Sequence, residues 1–225
     1  MGVSEQMQRK IILDLCGGTG AWSKPYADRE EYSVLVVTLP RFDLFDVELL
    51  DGKIIFHDTI TSETTEIDAA KVYGILAAPT CTMFSLARTT AKTERDFDGG
   101  LHLVHKCLQI IWYCRKQRNS ALKFWALENP MGYLRQFLGK PILTFNPNDF
   151  GDNYTKKTDL WGYYNIPKKK YRELTEEEKA KCAINNRDLP QLPDGYIMPE
   201  GWNASAARRS MTSEKFAEAF FRANK

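Results

Sequence analysis

The sequence is poor in the features that mark several protein classes. It has no long hydrophobic run: Val34-Leu35-Val36-Val37 and the stretch 108–113, with Gln109 inside it, are among its longest apolar segments, and a bilayer span takes about 20 apolar residues. Five cysteines (Cys16, Cys81, Cys107, Cys114 and Cys182) are odd in number and form no C-x-x-C pair, which argues against a disulfide framework and a structural zinc site. Three histidines, His57, His102 and His105, are too few and too poorly spaced for a zinc centre, so no metal is expected. Charge of either sign is barely in excess, 31 Lys+Arg against 29 Asp+Glu, so the balance neither demands nor forbids a polyanionic partner. Residues 1–10 are polar and hold no apolar signal region, so the expectation is a cytoplasmic protein with no membrane partner. At 225 residues the chain is long enough to bury a full core without staples.

What is present is alternation. Short β-branched or aromatic runs follow one another with longer amphipathic ones between them, the pattern of a mostly parallel sheet covered by helices. The spacing predicts strands over 11–15, 32–39, 53–57, 72–77 and 121–127. Helices are predicted to open at Trp22 to Ala27 and to run over 101–116, 132–138 and 213–223. In the long helix the apolar positions 101, 104, 108, 111 and 112 make the inner face, with Cys107 and Cys114 as core residues; in the last helix Phe216, Ala219 and Phe220 share a face. After Pro130 a strand over 142–145 and a segment over 154–164 read as an antiparallel hairpin, and 168–201, rich in proline and charge, reads as an extended loop or small subdomain. One domain covering 1–225 is the expected count.

Three stretches carry chemistry. Asp14-Leu15-Cys16-Gly17-Gly18-Thr19-Gly20 is a glycine-rich turn between a strand and a helix, where open α/β sheets bind nucleotides. Ser23 stands where a dinucleotide fingerprint wants Gly or Ala, and the Gly-Lys of a Walker loop is missing; an adenosyl cofactor without pyrophosphate, above all S-adenosylmethionine, fits better. Pro79-Thr80-Cys81-Thr82-Met83-Phe84-Ser85 puts a thiol just after the fourth strand, and Glu128-Asn129-Pro130 puts a carboxylate just after the fifth. Neighbouring strands would bring Cys81 and Glu128 into one pocket. A nucleophilic thiol and a protonatable carboxyl suit attack on an electron-poor ring, with the acid protonating a ring nitrogen.

In this order the three stretches resemble the cofactor loop, the Pro-Cys nucleophile loop and the Glu-Asn motif of DNA (cytosine-5) methyltransferases. Tyr154-Thr155-Lys156-Lys157-Thr158-Asp159-Leu160-Trp161-Gly162 and the tail Arg208-Arg209-Ser210-Met211-Thr212 are similar to those of the short cytosine methylases carried by phages. The resemblance covers roughly residues 11–165 and the C-terminal helix. It implies a Rossmann-like S-adenosylmethionine-dependent methyltransferase fold, mostly parallel with an antiparallel C-terminal hairpin. It further implies an enzyme with catalytic Cys81 and Glu128. Asp14, Leu15, Cys16, Gly17, Gly18, Thr19, Gly20, Trp22, Asp58 and Pro79 would hold S-adenosyl-L-methionine. Thr80, Phe84, Ser85, Asn129, Pro130, Lys156, Lys157 and Thr158 would meet the substrate, DNA in duplex or single-stranded form.

The sequence departs from the family at definite places. Thr80, not proline, directly precedes the nucleophile; the second strand ends in Thr38 and Leu39 rather than an acid, with Asp43 as the nearest substitute; Lys156 and Lys157 replace arginines. Only 46 residues separate Trp161 from Arg208, where family members insert a large recognition domain, so 165–207 is expected to be a reduced recognition loop or subdomain with short or loose specificity. Lys168, Lys169, Lys170, Arg172, Tyr163, Tyr164 and Tyr171 offer phosphate and stacking contacts there. Two other readings stand beside this one: the same chemistry on a free cytidine nucleotide or RNA, and a catalytically inactive nucleic-acid-binding protein on the same fold.

Overall fold

In a computed structural model, residues 9–86, 88, 93–183 and 190–225 are described. The polar start 1–8 and part of the polar stretch, 184–189, lie outside them. The strands are β1 (Lys10–Leu15), β2 (Tyr32–Val37), β3 (Glu48–Leu50), β4 (Lys53–His57), β5 (Thr64–Asp68), β6 (Val72–Ala77), β7 (Phe124–Pro130), β8 (Leu143–Phe145) and β9 (Thr158–Tyr163). The helices are α1 (Lys24–Ala27), α2 (Phe97–Arg115), α3 (Leu134–Leu138), α4 (Glu176–Ala183), α5 (Ala204–Ser210) and α6 (Glu214–Ala223).

The fold is α/β. Six strands form a mixed sheet in the order β2-β1-β6-β7-β9-β8, and three form a separate sheet in the order β3-β4-β5. The first four strands of the large sheet are parallel, and β9 returns antiparallel to both β7 and β8, as the hairpin expectation required. Successive side chains of a strand point to opposite faces, and the parallel strands use both. Leu13, Leu15, Ile75, Ala77, Leu127 and Trp161 enter a core shared with Val104, Cys107, Ile110, Ile111 and Cys114 of α2. Ile12, Leu76, Phe124, Ala126 and Leu160 enter a second core with Trp22, Tyr26 and Phe216, Ala217, Phe220 and Phe221 of α6. A sheet apolar on both faces must be covered on both, and here the covers are α2 with the small sheet on one side and α1 with α6 on the other.

Several sequence expectations are corrected. Lys53–His57 is not a strand of the main sheet; it is the middle strand of the antiparallel one. The β3–β4 hairpin turns on Asp51-Gly52, with φ of 49° and 78°, the left-handed pair that a two-residue turn with the twist of its strands requires. The helix expected from Trp22 is a four-residue piece, α1, because Trp22 is buried in the core and Ser23 spends its hydroxyl on Asp14. Trp112 is 62% exposed, so α2 buries Ile110, Ile111 and Cys114 instead. Ala217, not Ala219, is the alanine fully buried in α6. The stretch 168–201 contains one helix, α4, and the basic tail begins with another, α5.

The strand expected to stop at Leu127 runs on to Pro130. Its parallel partner β6 ends opposite Leu127, so Glu128, Asn129 and Pro130 project past the carboxyl edge with β9 on one side only. A proline is tolerated where one edge of a strand needs no hydrogen bond.

Among the described residues no helix is long and apolar enough to cross a membrane.

Candidate active site

The chain leaves β1 toward β2 on one side and β6 toward β7 on the other, so the loops after β1 and β6 diverge, and such switch points are where open α/β sheets hold ligands. A cavity of about 250 Å³ sits there. It is lined by Asp14, Cys16, Gly17, Gly18, Thr19 and Trp22 from the first loop, by Pro79, Thr80, Cys81 and Thr82 from the second, and by Glu128, Pro130 and Lys156.

Asp14 and Glu128 belong to the same face of the sheet. Asp14 pairs with Leu76, Leu76 with Ala126, and Glu128 follows Ala126 by two positions. At about 4.8 Å per strand and 3.3 Å per residue, their Cα atoms stand roughly 10 Å apart across the sheet and about 7 Å along it. That separation divides the cavity into two ends.

At the first end Asp14 is fully buried. Its Oδ2 accepts a 2.6 Å hydrogen bond from the Ser23 hydroxyl, and Oδ1 has no partner among the described residues. Burial drives the carboxyl from its ordinary 3.8 up to about 7, against the pull of Ser23. A Cβ on Gly17 would lie 2.4 Å from the Asp14 carboxyl carbon, so only glycine lets the turn pass over this group. The Trp22 indole Nε1 is also buried with no partner among the described residues. The loop after β2 adds Leu39, Phe42, Leu44 and Phe45, an apolar ledge, with Asp43 among them.

The second end is a thiol, a carboxyl and an ammonium. Burial pushes the Cys81 thiol up, Lys156 pulls it down and Glu128 pushes it further up. Glu128 is likewise raised by burial and by Asp159, against Lys156. Lys156 is thus the cation that both reactive groups share. The cysteine loop is anchored on several sides. Asn129 Nδ2 donates to the Pro79 carbonyl at 2.9 Å, and Arg95 donates to the carbonyls of Met83 and Ser85 at 2.6 and 3.0 Å. The Ala78 N–H donates to Leu15 and the Tyr133 N–H to Phe84. A Cβ on Gly132 would lie 2.2 Å from the Phe84 carbonyl oxygen, so the β7–α3 turn and the cysteine loop touch backbone to backbone.

The remaining expected site residues lie outside the cavity lining. Leu15 is core, and Gly20 has its carbonyl on the Ser23 hydroxyl. Asp58 holds Arg41 at 2.5 Å and the N–H groups of Ile60 and Thr61; burial raises its pKa, but Arg41 and those N–H groups outweigh it and leave it near 2, a carboxylate already committed to a turn. Phe84 is fully buried against Phe97 and Phe137. Ser85 bridges to Gly132. Asn129 is buried and acts on the loop through Pro79. Lys157 is exposed, and its carbonyl accepts from Met131. Thr158 is buried, its hydroxyl on the Lys156 carbonyl.

Sequence reading missed a whole wall. Tyr196, Pro199 and Trp202, from the polar stretch, and Ser210, Met211 and Thr212, from the end of α5, line the cavity. Aromatic and proline residues recurring in a charged segment without periodicity were the available signal. It also missed Arg135, which grips the fully buried Asp159 with two 2.5 Å hydrogen bonds on the strand beside Glu128. No protein-family model matches the chain, and no curated protein sequence does.

Proposed function

We propose that this chain transfers a methyl group from S-adenosyl-L-methionine to carbon 5 of cytosine in DNA, with short sequence specificity, on a Rossmann-like methyltransferase fold resembling that of the DNA (cytosine-5) methyltransferases. One observation carries the reading: a single cavity is lined both by the glycine turn over Asp14 and by Cys81, Glu128 and Lys156. The first end suits the cofactor. Its unpartnered Asp14 oxygen accepts from an ammonium or hydroxyl, the unpartnered Trp22 N–H donates, and the ledge of Leu39, Phe42 and Phe45 covers a flat ring, with Asp43 beside it. S-Adenosylmethionine would supply there an electrophilic methyl group on a sulfonium.

The chain's own residues do the rest. The Cys81 sulfur, as thiolate, adds to carbon 6 of the cytosine ring, and the Glu128 carboxyl gives its proton to N3, so the ring electrons gather on carbon 5. Lys156 lowers the Cys81 pKa against the rise that burial imposes, and burial raises that of Glu128 toward the protonated form the step uses. Once carbon 5 carries the methyl group, loss of its proton expels Cys81 as thiolate, and N3 returns its proton to Glu128, which restores the ring. Carbon 6 is hidden inside a duplex, so the base must be flipped out or presented in a single strand. Tyr196 and Trp202 supply faces on which it stacks. The closeness of that wall also favours a second reading, the same chemistry on a free nucleotide or RNA.

Incubation with labelled S-adenosylmethionine and duplex DNA, single-stranded DNA or dCMP tests the reading. Label recovered as 5-methylcytosine in DNA and abolished in Cys81→Ser is expected. Label in dCMP alone transfers the activity to the nucleotide, and binding without label in any substrate overturns the catalytic role.

A further inference from the structure

We propose that the outer face of α2, near the amino edge of the large sheet, is a docking surface for single-stranded nucleic acid, separate from the cavity. The charge of this region is one-sided. Residues 99–127 hold Lys106, Arg115, Lys116, Arg118 and Lys123 and no Asp or Glu, in a chain that is otherwise nearly balanced. Among the described residues none of Arg115, Lys116, Arg118 and Lys123 enters an ion pair, and all four are exposed. Cations grouped in this way attract a polyanion.

Two aromatic rings lie open among them: Trp112 is 62% exposed and Tyr163 66%. Trp112, Arg115 and Lys116 are three and four positions apart on α2, so they are neighbours on its outer surface. The Arg115 guanidinium stands 6.0 Å from the Tyr163 ring centre. Tyr163 ends β9 opposite Trp125 of β7. Lys123, whose N–H donates to the Tyr73 carbonyl, lies two positions before Trp125 and hence on the same face of the sheet. The end of the helix, the turn after it and the end of β9 therefore present one surface. Trp112, Arg115, Lys116, Arg118, Lys123 and Tyr163 all lie outside the cavity lining. Glu128, in the cavity, is four residues, about 13 Å, beyond the first residue of β7.

The mixture of groups selects the ligand. A duplex keeps its bases stacked inside, and an acidic peptide offers charge alone; either would meet the cations and leave the indole and phenol faces in water. A single strand offers a phosphate for each cation and an unstacked base for each ring. Its bases stack on Trp112 and Tyr163 while its phosphates meet Arg115, Lys116, Arg118 and Lys123.

The test is binding of an oligothymidylate about 12 nucleotides long to the full chain without cofactor, followed by fluorescence anisotropy at several salt concentrations. The probe holds no cytosine, so the methyltransferase reading can fail while this surface still binds. Trp112→Ala is expected to weaken binding about tenfold with an unchanged salt slope. Arg115→Gln combined with Lys116→Gln is expected to lower the slope of log K against log salt by about 1.4, two phosphate contacts. Trp202→Ala, in the cavity wall, is expected to leave both quantities at the parent value. No binding at low salt, binding lost in Trp202→Ala but kept in Trp112→Ala, or displacement of the strand by an equal charge of polyglutamate would each overturn the proposal. So would a duplex of the same length that binds as tightly as the strand.

Discussion

The two ends of the cavity solve the same electrostatic problem differently. Both draw a carboxyl out of water, Asp14 fully buried at one end and Glu128 half-buried at the other. Glu128 has a cation of the chain's own, Lys156, within electrostatic reach. Asp14 has one hydroxyl and an oxygen with no partner among the described residues. Asp159, as buried as Asp14, shows what a purely structural carboxylate receives in this protein: two hydrogen bonds from Arg135 and one from Thr144. Leaving a buried polar group unmade is costly, and on the proposed reading the partner of this oxygen arrives with the cofactor. The Cys81 end is held by contacts within the chain; the Asp14 end has one oxygen with no partner among the described residues.

The largest expected effect would break that contrast at the Asp14 end. Because its folded-state pKa, about 7, lies above the ordinary 3.8, Asp14 favours the folded state most at and below pH 4, and that contribution is lost as the pH rises through 7. Asp14→Asn removes the charge, so at pH 8 the variant is expected to be more stable than the parent by about 4 kcal/mol, with little difference at pH 4. Urea unfolding at the two pH values checks this. A variant less stable than the parent at pH 8 would mean that the carboxylate is satisfied. S-Adenosylmethionine binding by the same variant, measured by calorimetry, is expected to weaken at least tenfold, the stability–function trade of a binding group.

At the other end, Gly132→Ala tests those contacts. A Cβ cannot share space with the Phe84 carbonyl 2.2 Å away, so the turn and the cysteine loop must separate, at a cost of about 2 kcal/mol, with a fall in kcat read in the same preparation. Smaller still is Lys156→Met. Loss of the shared cation lets both Cys81 and Glu128 rise further. The rate of Cys81 alkylation by iodoacetamide at pH 8 is expected to fall, and its pH profile to move to higher pH. An unmoved profile would detach Lys156 from the thiol. The smallest effect is expected of Trp202→Ala, which removes one stacking face and should raise KM for DNA severalfold while kcat and unfolding stay close to the parent.

The two ends also differ in how far the sequence revealed them. Strands β1, β2 and β6 and helix α2 were legible because runs such as Ile11 to Leu15 and the spacing of Val104, Leu108 and Ile111 are set by burial alone. That Cys81 and Glu128 share a cavity followed from β6 and β7 being neighbours. The extension of β7 through Pro130 was not legible, since proline reads as a stop unless the partner on one side is known to have ended. The small sheet was overlooked because β3 and β5 carry charge and are short, although Asp51-Gly52 was the available hairpin signal. The wall of Tyr196, Pro199 and Trp202 comes from a segment without period, where sequence pattern carries no information about proximity. Asp58 and Phe84 were placed by motif alone, and the ion pair with Arg41 and the ring contacts with Phe97 and Phe137 are tertiary facts no motif encodes.

The central proposal is that Cys81 acts as a nucleophile toward carbon 6 in a cavity that also holds the methyl donor. Incubation of the chain with S-adenosylmethionine and an oligonucleotide carrying 5-fluorocytosine tests it most directly, because fluorine in place of the departing proton stops the reaction with sulfur still attached. A denaturation-resistant complex mapping to Cys81, absent without the cofactor and in Cys81→Ser, is the predicted result. Methylation of ordinary cytosine by a preparation that forms no such complex, or that forms it through another cysteine, would contradict it.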